Sequence, residues 1–319
     1  MFPLQALLLL IVGFALLIKG ADWLVEGASS LAMRMRIRQI VIGLTVVAFG
    51  TSTPELVVNI LAALKGNVDI AFGNIMGSNI ANILLILGLA AAIQPIHTHH
   101  NTIWREIPFS LLAVFVLFAL VNDRIFTGEV NLLARNDALI LLLFFLIFLA
   151  YNFAIAKIEI DDLPEVKMLP VGKIILFIST GLGGLFFGGR LVVDNAVIIA
   201  RYFQISEKVI GLTIVAVGTS LPELFTSMVA AAKNKMDIAV GNVVGSNIFN
   251  VFFILGVTGL IHPLDYNSSM NFDFIVLAIA SILLFISTFI HPIGKVSRVE
   301  GICFVIIYFI YLVYVLTNG

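Results

Sequence analysis

Ten apolar segments, each about as long as a bilayer is thick, constrain the fold of this chain more than any other feature. A transmembrane helix needs about 20 largely apolar residues, and in lipid every backbone N–H and C=O must be paired within helices or closed barrels. Hydrophobic residues make up 61% of the chain and charged residues only 12%, which excludes an ordinary soluble domain. The sequence therefore predicts an all-α integral membrane protein of ten transmembrane helices, near residues 4–30, 40–64, 70–94, 104–121, 137–155, 173–200, 208–232, 237–261, 271–291 and 299–316.

The distribution of Lys and Arg predicts how these helices are oriented. Loops on the cytoplasmic side of a membrane carry an excess of both residues. With the N-terminus outside, eleven Lys and Arg fall in inside loops and five in outside loops, leaving out Lys19 and Arg190, which lie within helices. We therefore expect a multi-pass protein of the cell (plasma) membrane with both termini extracellular and the polar connector 157–170 in the cytoplasm.

The overall charge and the missing motifs exclude several other classes of protein. A net charge of −1 offers no basic surface for nucleic acid, so the expected partners are the lipid bilayer and small solutes. The single cysteine, Cys303, can form no disulfide within the chain. No phosphate-binding glycine-rich loop and no HExxH motif stand in a convincing context. We expect a functional monomer that is not an enzyme and holds no resident cofactor.

An internal duplication divides the chain in two. Of the 42 residues from 41 to 82, 26 are identical to the residue 168 positions later. VIGLTVVAFGTSTPEL matches VIGLTIVAVGTSLPEL, and GNIMGSNIAN matches GNVVGSNIFN. Each copy holds five predicted helices, an odd number, so the second copy enters the membrane upside down. Such inverted repeats are common in transporters, with the binding site where the copies meet, although channels and membrane enzymes can also be duplicated.

This duplication predicts three regions. Residues 1–156 form the first five-helix repeat, 157–170 the cytoplasmic connector, and 171–319 the second, inverted repeat. The acidic connector is interpreted as a solvated loop that could regulate the protein by binding a cation.

Glu55 and Glu223 are the acids that most need an explanation, because each lies near the middle of a predicted helix. A carboxylate within the membrane costs a few kcal/mol even by insertion scales, so such residues are usually functional. A salt bridge is the alternative, but the predicted helices around them carry Lys or Arg only at their ends. Two equivalent acids therefore predict a functional site.

Pro54 and Pro222 each precede one of these acids and predict a broken helix. Proline has no N–H, and its ring clashes with the carbonyl four residues earlier. Carbonyls near 48–51 and 216–219 are then free for other partners, which can be a bound cation or the neighbouring Ser and Thr hydroxyls.

A polar face follows each acid. Asn74, Ser78 and Asn82 are four residues apart and share one helix face, and Asn242, Ser246 and Asn250 repeat the pattern. Glycines beside them permit close helix packing, which is the alternative explanation. The candidate set offers only oxygen ligands, which suit hard cations such as Ca²⁺ and Na⁺ better than zinc or copper.

The paired motifs resemble the two α-repeats of the sodium/calcium exchanger family, within the cation/Ca²⁺ antiporter superfamily, and the resemblance covers nearly the whole chain. It is strongest to the compact archaeal and bacterial members. It implies broken helices within an α1 motif at 43–82 and an α2 motif at 211–250. It also implies electrogenic antiport of three Na⁺ for one Ca²⁺ by alternating access, with the first and sixth helices sliding as a gating pair.

The resemblance further implies four cation sites between the second, third, seventh and eighth helices. Glu55 and Glu223 would bridge these sites and bind Ca²⁺. Backbone carbonyls of Thr51 and Thr219 would complete the calcium site. The other implied ligands are Asn82 and Asn250 at the central position, and Ala48, Ser52, Ser78, Ala216, Ser220 and Ser246 in flanking sodium sites.

Asn250 departs from several relatives, which have Asp at the matching position. The Asn disfavours potassium dependence and removes a carboxylate that could carry a proton. Proton-coupled relatives usually have a different first motif, with Asn after the glycine. The sequence thus favours Na⁺ coupling, with Ca²⁺/H⁺ or other divalent cation/proton antiport as the alternative and a cation channel less supported.

Two further polar groups have weaker interpretations. The histidines at 97, 99 and 100 resemble a metal or pH-sensing cluster but are better interpreted as part of a solvated loop. Asp22 and Glu26 lie four residues apart and could face a water-filled path.

Overall fold

The computed structural model describes residues 4–97, 102–126, 128, 130–154, 168–205, 216–290 and 294–318. Within that part of the chain the protein is built almost entirely from helices, and eight of them are long and apolar enough to cross a membrane. A bent pair of helices adds one further candidate span. The elements are α1 Leu4–Met35, α2 Gln39–Thr51, α3 Thr53–Leu64, α4 Val68–Ile93, α5 Thr102–Val121, α6 Arg135–Ala154, α7 Val171–Tyr202, α8 Ala216–Thr219, α9 Leu221–Ala232, α10 Met236–Ile261, α11 Ser268–Ile290 and α12 Arg298–Asn318.

Burial separates central helices from peripheral ones. The most apolar window of α4 is 83% buried and that of α10 is 78% buried, whereas those of α1, α7 and α12 are 28%, 22% and 17% buried. The peripheral helices expose large apolar side chains such as Ile18, Phe187 and Ile310. Apolar surface of this extent marks contact with lipid, so the protein is a multi-pass membrane protein with α4 and α10 at its centre.

Both predicted helix breaks fall at the prolines. The axis bends by 46° between α2 and α3. Ser52 occupies the break with φ −82° and ψ 7°, and Ser220 has nearly the same conformation, φ −86° and ψ 5°, between α8 and α9. Pro54 and Pro222 then stand in the first turn of the following helix, where a missing N–H is tolerated. A new helix therefore begins directly after each break.

Glycines bring α1 and α7 into backbone contact. A Cβ on Gly13 would lie 3.0 Å from the carbonyl oxygen of Gly188, and a Cβ on Gly20 would lie 2.8 Å from that of Gly181. Seven residues forward along α1 thus correspond to seven residues backward along α7, so the two helices pack antiparallel. Side chains larger than hydrogen do not fit at these contacts.

A second glycine contact joins α2 to α10. A Cβ on Gly241 would lie 2.8 Å from the carbonyl oxygen of Ile40, and one on Gly245 would lie 2.8 Å from Cβ of Ala48. The sequence predicted close packing at these glycines, and here it is confirmed. The contact brings the first break against the polar face of α10.

Both central helices, α4 and α10, contain a π-helical stretch at equivalent positions of the duplication. The stretches Ala81–Leu87 of α4 and Phe249–Ile254 of α10 are π-helical, as is Gly43–Val47 of α2. π-helical turns are rare and occur frequently at functional sites. Asn82 and Asn250, two predicted ligands, lie at the start of the first two stretches.

Short strands tie four loops together at the surface. Strand β1 (Ile96–His97) pairs antiparallel with β4 (Lys295–Val296), and β2 (Leu132–Leu133) pairs antiparallel with β3 (Leu264–Asp265). His97 is therefore part of a strand, whereas His99 and His100 lie outside the described residues, as does the connector up to residue 167. The possible metal or regulatory roles of these segments stay predictions.

An ion pair joins α1 to the end of α9. Asp22 contacts Lys233, which follows α9 directly, and also Lys19, with Nζ 3.1 Å from Oδ2. Lys235 lies nearby, and burial together with the charge of Lys233 lowers its pKa. Asp22 therefore has two basic partners, and the water-filled path beside Asp22 and Glu26 stays a prediction.

Candidate cation site

Glu55 and Glu223 occupy the first turns of α3 and α9, and each is only 1% exposed. The N-terminal end of a helix carries a partial positive charge, which stabilises a carboxylate there. The two helix breaks thus create, in the middle of the protein, two helix ends suited to hold acids. No ion pair among the described residues involves either carboxylate, which leaves the predicted functional role in place.

Each carboxylate is contacted by the serine of the opposite break. Ser52 Oγ donates to Glu223 Oε1 over 2.8 Å. Ser220 Oγ lies 3.4 Å from Glu55 Oε1 and 3.1 Å from Ser78 Oγ. Ser246 Oγ completes the set at 3.4 Å from Glu223 Oε1. Three of the four predicted serines therefore contact an acid directly, and Ser78 contacts one of those three.

The predicted threonines join each break to the opposite polar face. Thr51 Oγ1 donates to Asn242 Oδ1 over 3.0 Å, and Thr219 Oγ1 lies 3.4 Å from Asn74 Oδ1. Asn242 in turn donates from Nδ2 to the Glu223 carbonyl oxygen over 3.2 Å and to Ser227 Oγ over 3.0 Å. Side chains from both halves of the sequence thus interlock around the acids.

The backbone carbonyls near the first break are partly used by hydroxyls. Thr51 Oγ1 lies 3.1 Å from the Val47 carbonyl oxygen and 3.3 Å from that of Ala48, which also accepts from the Ser52 amide at 3.0 Å. Thr53 Oγ1 donates to the Phe49 carbonyl over 3.0 Å. The hydroxyl of Thr53 therefore satisfies one of these carbonyls, whereas the single hydroxyl proton of Thr51 already goes to Asn242. Ala216 begins the described part of the second broken helix.

Among the buried oxygens that have no hydrogen-bond partner, four belong to predicted ligands. They are Oε2 of Glu55 and Glu223 and Oδ1 of Asn82 and Asn250. Two come from each half of the sequence, and all four are acceptors, so no rearrangement among them would satisfy them. An unpaired buried acceptor is costly, and a hard cation is the partner that an all-oxygen set prefers. Within the described residues no cluster of three or more His, Cys, Asp or Glu suggests a softer metal.

Asn79 and Asn247 are polar residues of the site that the helical spacing did not identify. Asn79 Nδ2 donates to the Asn247 carbonyl over 3.3 Å, and Asn247 Nδ2 lies 3.4 Å from the Asn79 carbonyl. Asn82 Nδ2 donates to Asn247 Oδ1 over 2.9 Å, and Asn250 Nδ2 donates to Asn79 Oδ1 over 2.8 Å. Their identity at equivalent repeat positions, in GSN, was the signal that could have found them.

A cavity of about 250 Å³ lies beside both helix breaks. Its wall includes Pro54 and Pro222 on one side and Leu182 and Phe186 of α7 on the other. The cavity thus lies where α7 meets the helix breaks, which α7 also contacts directly through Leu182 at Gly50 and Val193 at Gly218.

Known proteins share this sequence and architecture. The model of the sodium/calcium exchanger protein family matches residues 5–154 and 173–317. The putative antiporter CaxA of Alkalimonas amylolytica is 37% identical over 323 aligned positions, which cover 99% of this chain and 100% of that protein. The sodium/calcium exchanger MaX1 of Methanosarcina acetivorans is 33% identical over 340 positions, covering 96% of this chain and 97% of MaX1.

Solved structures of the sodium-calcium exchanger NCX_Mj are similar throughout. One, from crystals soaked with Na⁺ and Ca²⁺, has a TM-score of 0.83 at 34% identity and covers 98% of this chain and 99% of that one. Another, soaked with neither ion, also has a TM-score of 0.83, at 35% identity and 99% and 100% coverage.

Proposed function

This chain belongs to the sodium/calcium exchanger protein family, and from that premise we propose that it is a secondary active antiporter that exchanges Na⁺ for Ca²⁺ across the cell membrane. Its relatives include a putative antiporter and sodium/calcium exchangers, so cation antiport is the activity that family membership favours. The proposal includes coupling to Na⁺, a ratio of three Na⁺ to one Ca²⁺ and an electrogenic cycle.

The observation that carries the proposal is that four predicted ligands, two from each half of the chain, each have a buried acceptor oxygen without a partner. Calcium takes six to eight oxygen ligands in flexible geometry. The carboxylates supply two negative charges, which balance one Ca²⁺, and the same groups can hold Na⁺ instead. Because the two kinds of ion share ligands, their occupancies exclude one another, which is the physical basis of exchange.

The assignment of ligands follows the predicted set. Glu55 and Glu223 bind Ca²⁺ with the carbonyls of Thr51 and Thr219, and flanking groups hold Na⁺. The contacts of Ser52, Ser220 and Ser246 with the acids support this assignment, and Ser78 is joined to them through Ser220. The complete proposed set is Glu55, Glu223, Thr51, Thr219, Ser52, Ser220, Asn82, Asn250, Ser78, Ser246, Ala48 and Ala216.

The proposed architecture is ten spans in two inverted repeats, residues 1–156 and 171–319, joined by the cytoplasmic connector. Antiparallel packing of α1 on α7 through repeat-related glycines supports it, because Gly13 and Gly20 match Gly181 and Gly188 in the duplication. In this arrangement both termini are extracellular. The cations are cargo, so a monomer suffices and no resident cofactor is required.

Alternating access requires the helices around the site to move. We assign this movement to α1 and α7, which are the least buried helices that contact the broken ones. Three Na⁺ entering one way for one Ca²⁺ leaving the other way transfers one net positive charge per cycle.

Radioactive Ca²⁺ uptake into proteoliposomes tests this function. Vesicles loaded with Na⁺ are diluted into Na⁺-free medium, and the membrane potential is set with K⁺ and valinomycin. Uptake is expected only with internal Na⁺, and it should be faster when the vesicle interior is positive, because net positive charge leaves. Vesicles loaded with K⁺ and protein-free vesicles are the controls.

Other results would assign a different function. Uptake that ignores Na⁺ and needs a proton gradient would identify a Ca²⁺/H⁺ antiporter. A Ca²⁺ flux that requires no counter-ion would identify a channel.

A further inference from the structure

The four asparagines Asn79, Asn82, Asn247 and Asn250 form a hydrogen-bond network that joins the two halves of the chain. All four are buried, at 3% exposure or less. Asn79 and Asn247 contact each other's backbone carbonyls, and each also accepts a hydrogen bond from one further asparagine, Asn250 or Asn82 respectively. Every bond of the network therefore joins α4 to α10.

The backbone carbonyls fix the polarity of this network. A carbonyl can only accept, so the carboxamide edge that faces it must be the amino group. Asn247 therefore directs Nδ2 at the Asn79 carbonyl and Oδ1 at Asn82. Because that oxygen can only accept, Asn82 must present Nδ2 to it, and its own Oδ1 must face the other way. In the same way, Asn79 directs Nδ2 at the Asn247 carbonyl and Oδ1 at Asn250. Asn250 must therefore present Nδ2 to that oxygen, and its own Oδ1 faces the other way.

The outcome is a pair of oxygens with no partner. Asn82 Oδ1 and Asn250 Oδ1 are buried and accept no hydrogen bond. Asn82 lies four residues after Ser78, which contacts Ser220, and Asn250 lies four residues after Ser246, which contacts Glu223. Each asparagine therefore shares the helix face of that serine. A carboxamide in the opposite orientation would point two N–H donors at a bound cation and repel it.

We propose that Asn79 and Asn247 are positioning residues, which hold the carboxamides of Asn82 and Asn250 with their oxygens toward the transported cations. The proposal rests on the proposed function, because it assigns a role toward the cargo of the same site. Each half of the chain then orients a ligand that belongs to the other half. Groups that orient a ligand in this way typically contribute about 10- to 100-fold to metal affinity.

A pair of substitutions tests the orientation directly. Asn79→Ala removes the acceptor that holds Asn250, and Ca²⁺ binding, measured by titration calorimetry on the purified protein, should weaken about tenfold or more. In an Asn250→Asp background the same substitution should change affinity less than about threefold, because a carboxylate presents oxygen on both edges and needs no orientation.

The matched control uses the other asparagine. Asn79 does not hydrogen-bond Asn82 in the network, so Asn82→Asp should give no such rescue of Asn79→Ala. The equivalent test in the other half combines Asn247→Ala with Asn82→Asp, and here Asn82→Asp should restore Ca²⁺ affinity. This second pair replaces the first if Asn79→Ala yields no monodisperse protein. The positioning role would be overturned if Asn79→Ala weakened Ca²⁺ binding equally with and without Asn250→Asp. It would also be overturned if Asn82→Asp restored Ca²⁺ binding to Asn79→Ala.

The result also separates this proposal from the proposed function. If the unmodified protein binds and exchanges Ca²⁺ but the rescue pattern is absent, only the positioning role fails. If the unmodified protein neither binds Ca²⁺ nor exchanges it, the function fails and the positioning role with it.

Discussion

Ser52 donates a hydrogen bond from its Oγ to Glu223 Oε1 over 2.8 Å, although 171 residues separate the two in sequence. The equivalent contact in the opposite direction, from Ser220 to Glu55, is longer at 3.4 Å. The two acids are thus held by the same kind of group but not equally tightly. Predictions for both serines follow from that inequality.

Ser52→Ala should weaken the site more than Ser220→Ala. A hydrogen bond to a charged group contributes about 1.5–3 kcal/mol, and the short contact at Ser52 should approach that range. We expect the Na⁺ concentration for half-maximal exchange to rise about tenfold for Ser52→Ala and by less for Ser220→Ala. Flux assays on both variants measure this, and equal effects would show that the difference in distance has no energetic meaning.

Glu55→Gln and Glu223→Gln should each abolish Ca²⁺ transport while leaving the protein folded. Removing a buried charge lowers the burial penalty, so stability without Ca²⁺ should be unchanged or higher. Added Ca²⁺ should raise the Tm of the unmodified protein, because a ligand that binds only the folded state stabilises it, and the variants should lose this shift.

Asp265→Asn, an exposed acid in strand β3, is the matched control for the glutamate variants. It should keep both transport and the Ca²⁺-dependent shift in Tm. Near-normal transport by either glutamine variant would overturn the site assignment.

The Asp22–Lys233 ion pair should bias the protein toward one access state. It fastens α1 to the end of α9, on the side predicted to be cytoplasmic. The equivalent positions in the duplication are Arg190 and Lys65, which are both basic and can form no such pair. Asp22→Asn should therefore favour cytoplasmic access by up to about 1 kcal/mol, or roughly fivefold in population.

A reporter cysteine measures that bias. Ser227→Cys, in a Cys303→Ser background, places a single thiol on α9 one turn beyond Glu223. Its labelling from the cytoplasmic side should increase with Asp22→Asn and return with the charge reversal Asp22→Lys combined with Lys233→Asp. Unchanged labelling would show that the pair has no gating role.

Gly20→Ala and Gly181→Ala should separate α1 from α7. The added methyl group would lie 2.8 Å from Gly181 oxygen in the first case and 2.7 Å from Leu24 nitrogen in the second. Overpacking of this kind typically costs about 1–3 kcal/mol. We expect a lower Tm and slower exchange for both variants, measured by thermal unfolding and flux.

Gly183→Ala is the corresponding control, because a Cβ there meets no described heavy atom within 4 Å. Its helix propensity should make the variant as stable as the parent or more so. A loss of stability equal to that of Gly20→Ala would point to a general effect of the methyl group.

Local chemistry explains which parts of the site could be predicted. Pro54 and Pro222 act on the backbone within one turn, so their sequence positions locate the breaks, and the buried acids beside them follow from the cost of charge in lipid. Apolar length likewise predicts the long helices. These features depend on neighbours along the chain.

Contacts between segments that are distant in sequence could not be predicted from local chemistry. Asn79 lies off the four-residue face that Asn74, Ser78 and Asn82 share, so spacing alone assigned it to no site. Its role depends on Asn247, 168 residues away, and on the closeness of α4 and α10. The pairing of Asp22 with Lys233 depends in the same way on the packing of α1 against α9.

The backbone contacts between α1 and α7 have a consequence for the energy balance of the cell. Helices that touch at Gly13–Gly188 and Gly20–Gly181 without intervening side chains have little freedom to move separately. If they move as one body in the proposed cycle, the movement that opens the site to one side of the membrane closes it to the other side. The proposed exchange would then proceed without a continuous pore, and a stored ion gradient would not be dissipated by leakage between cycles.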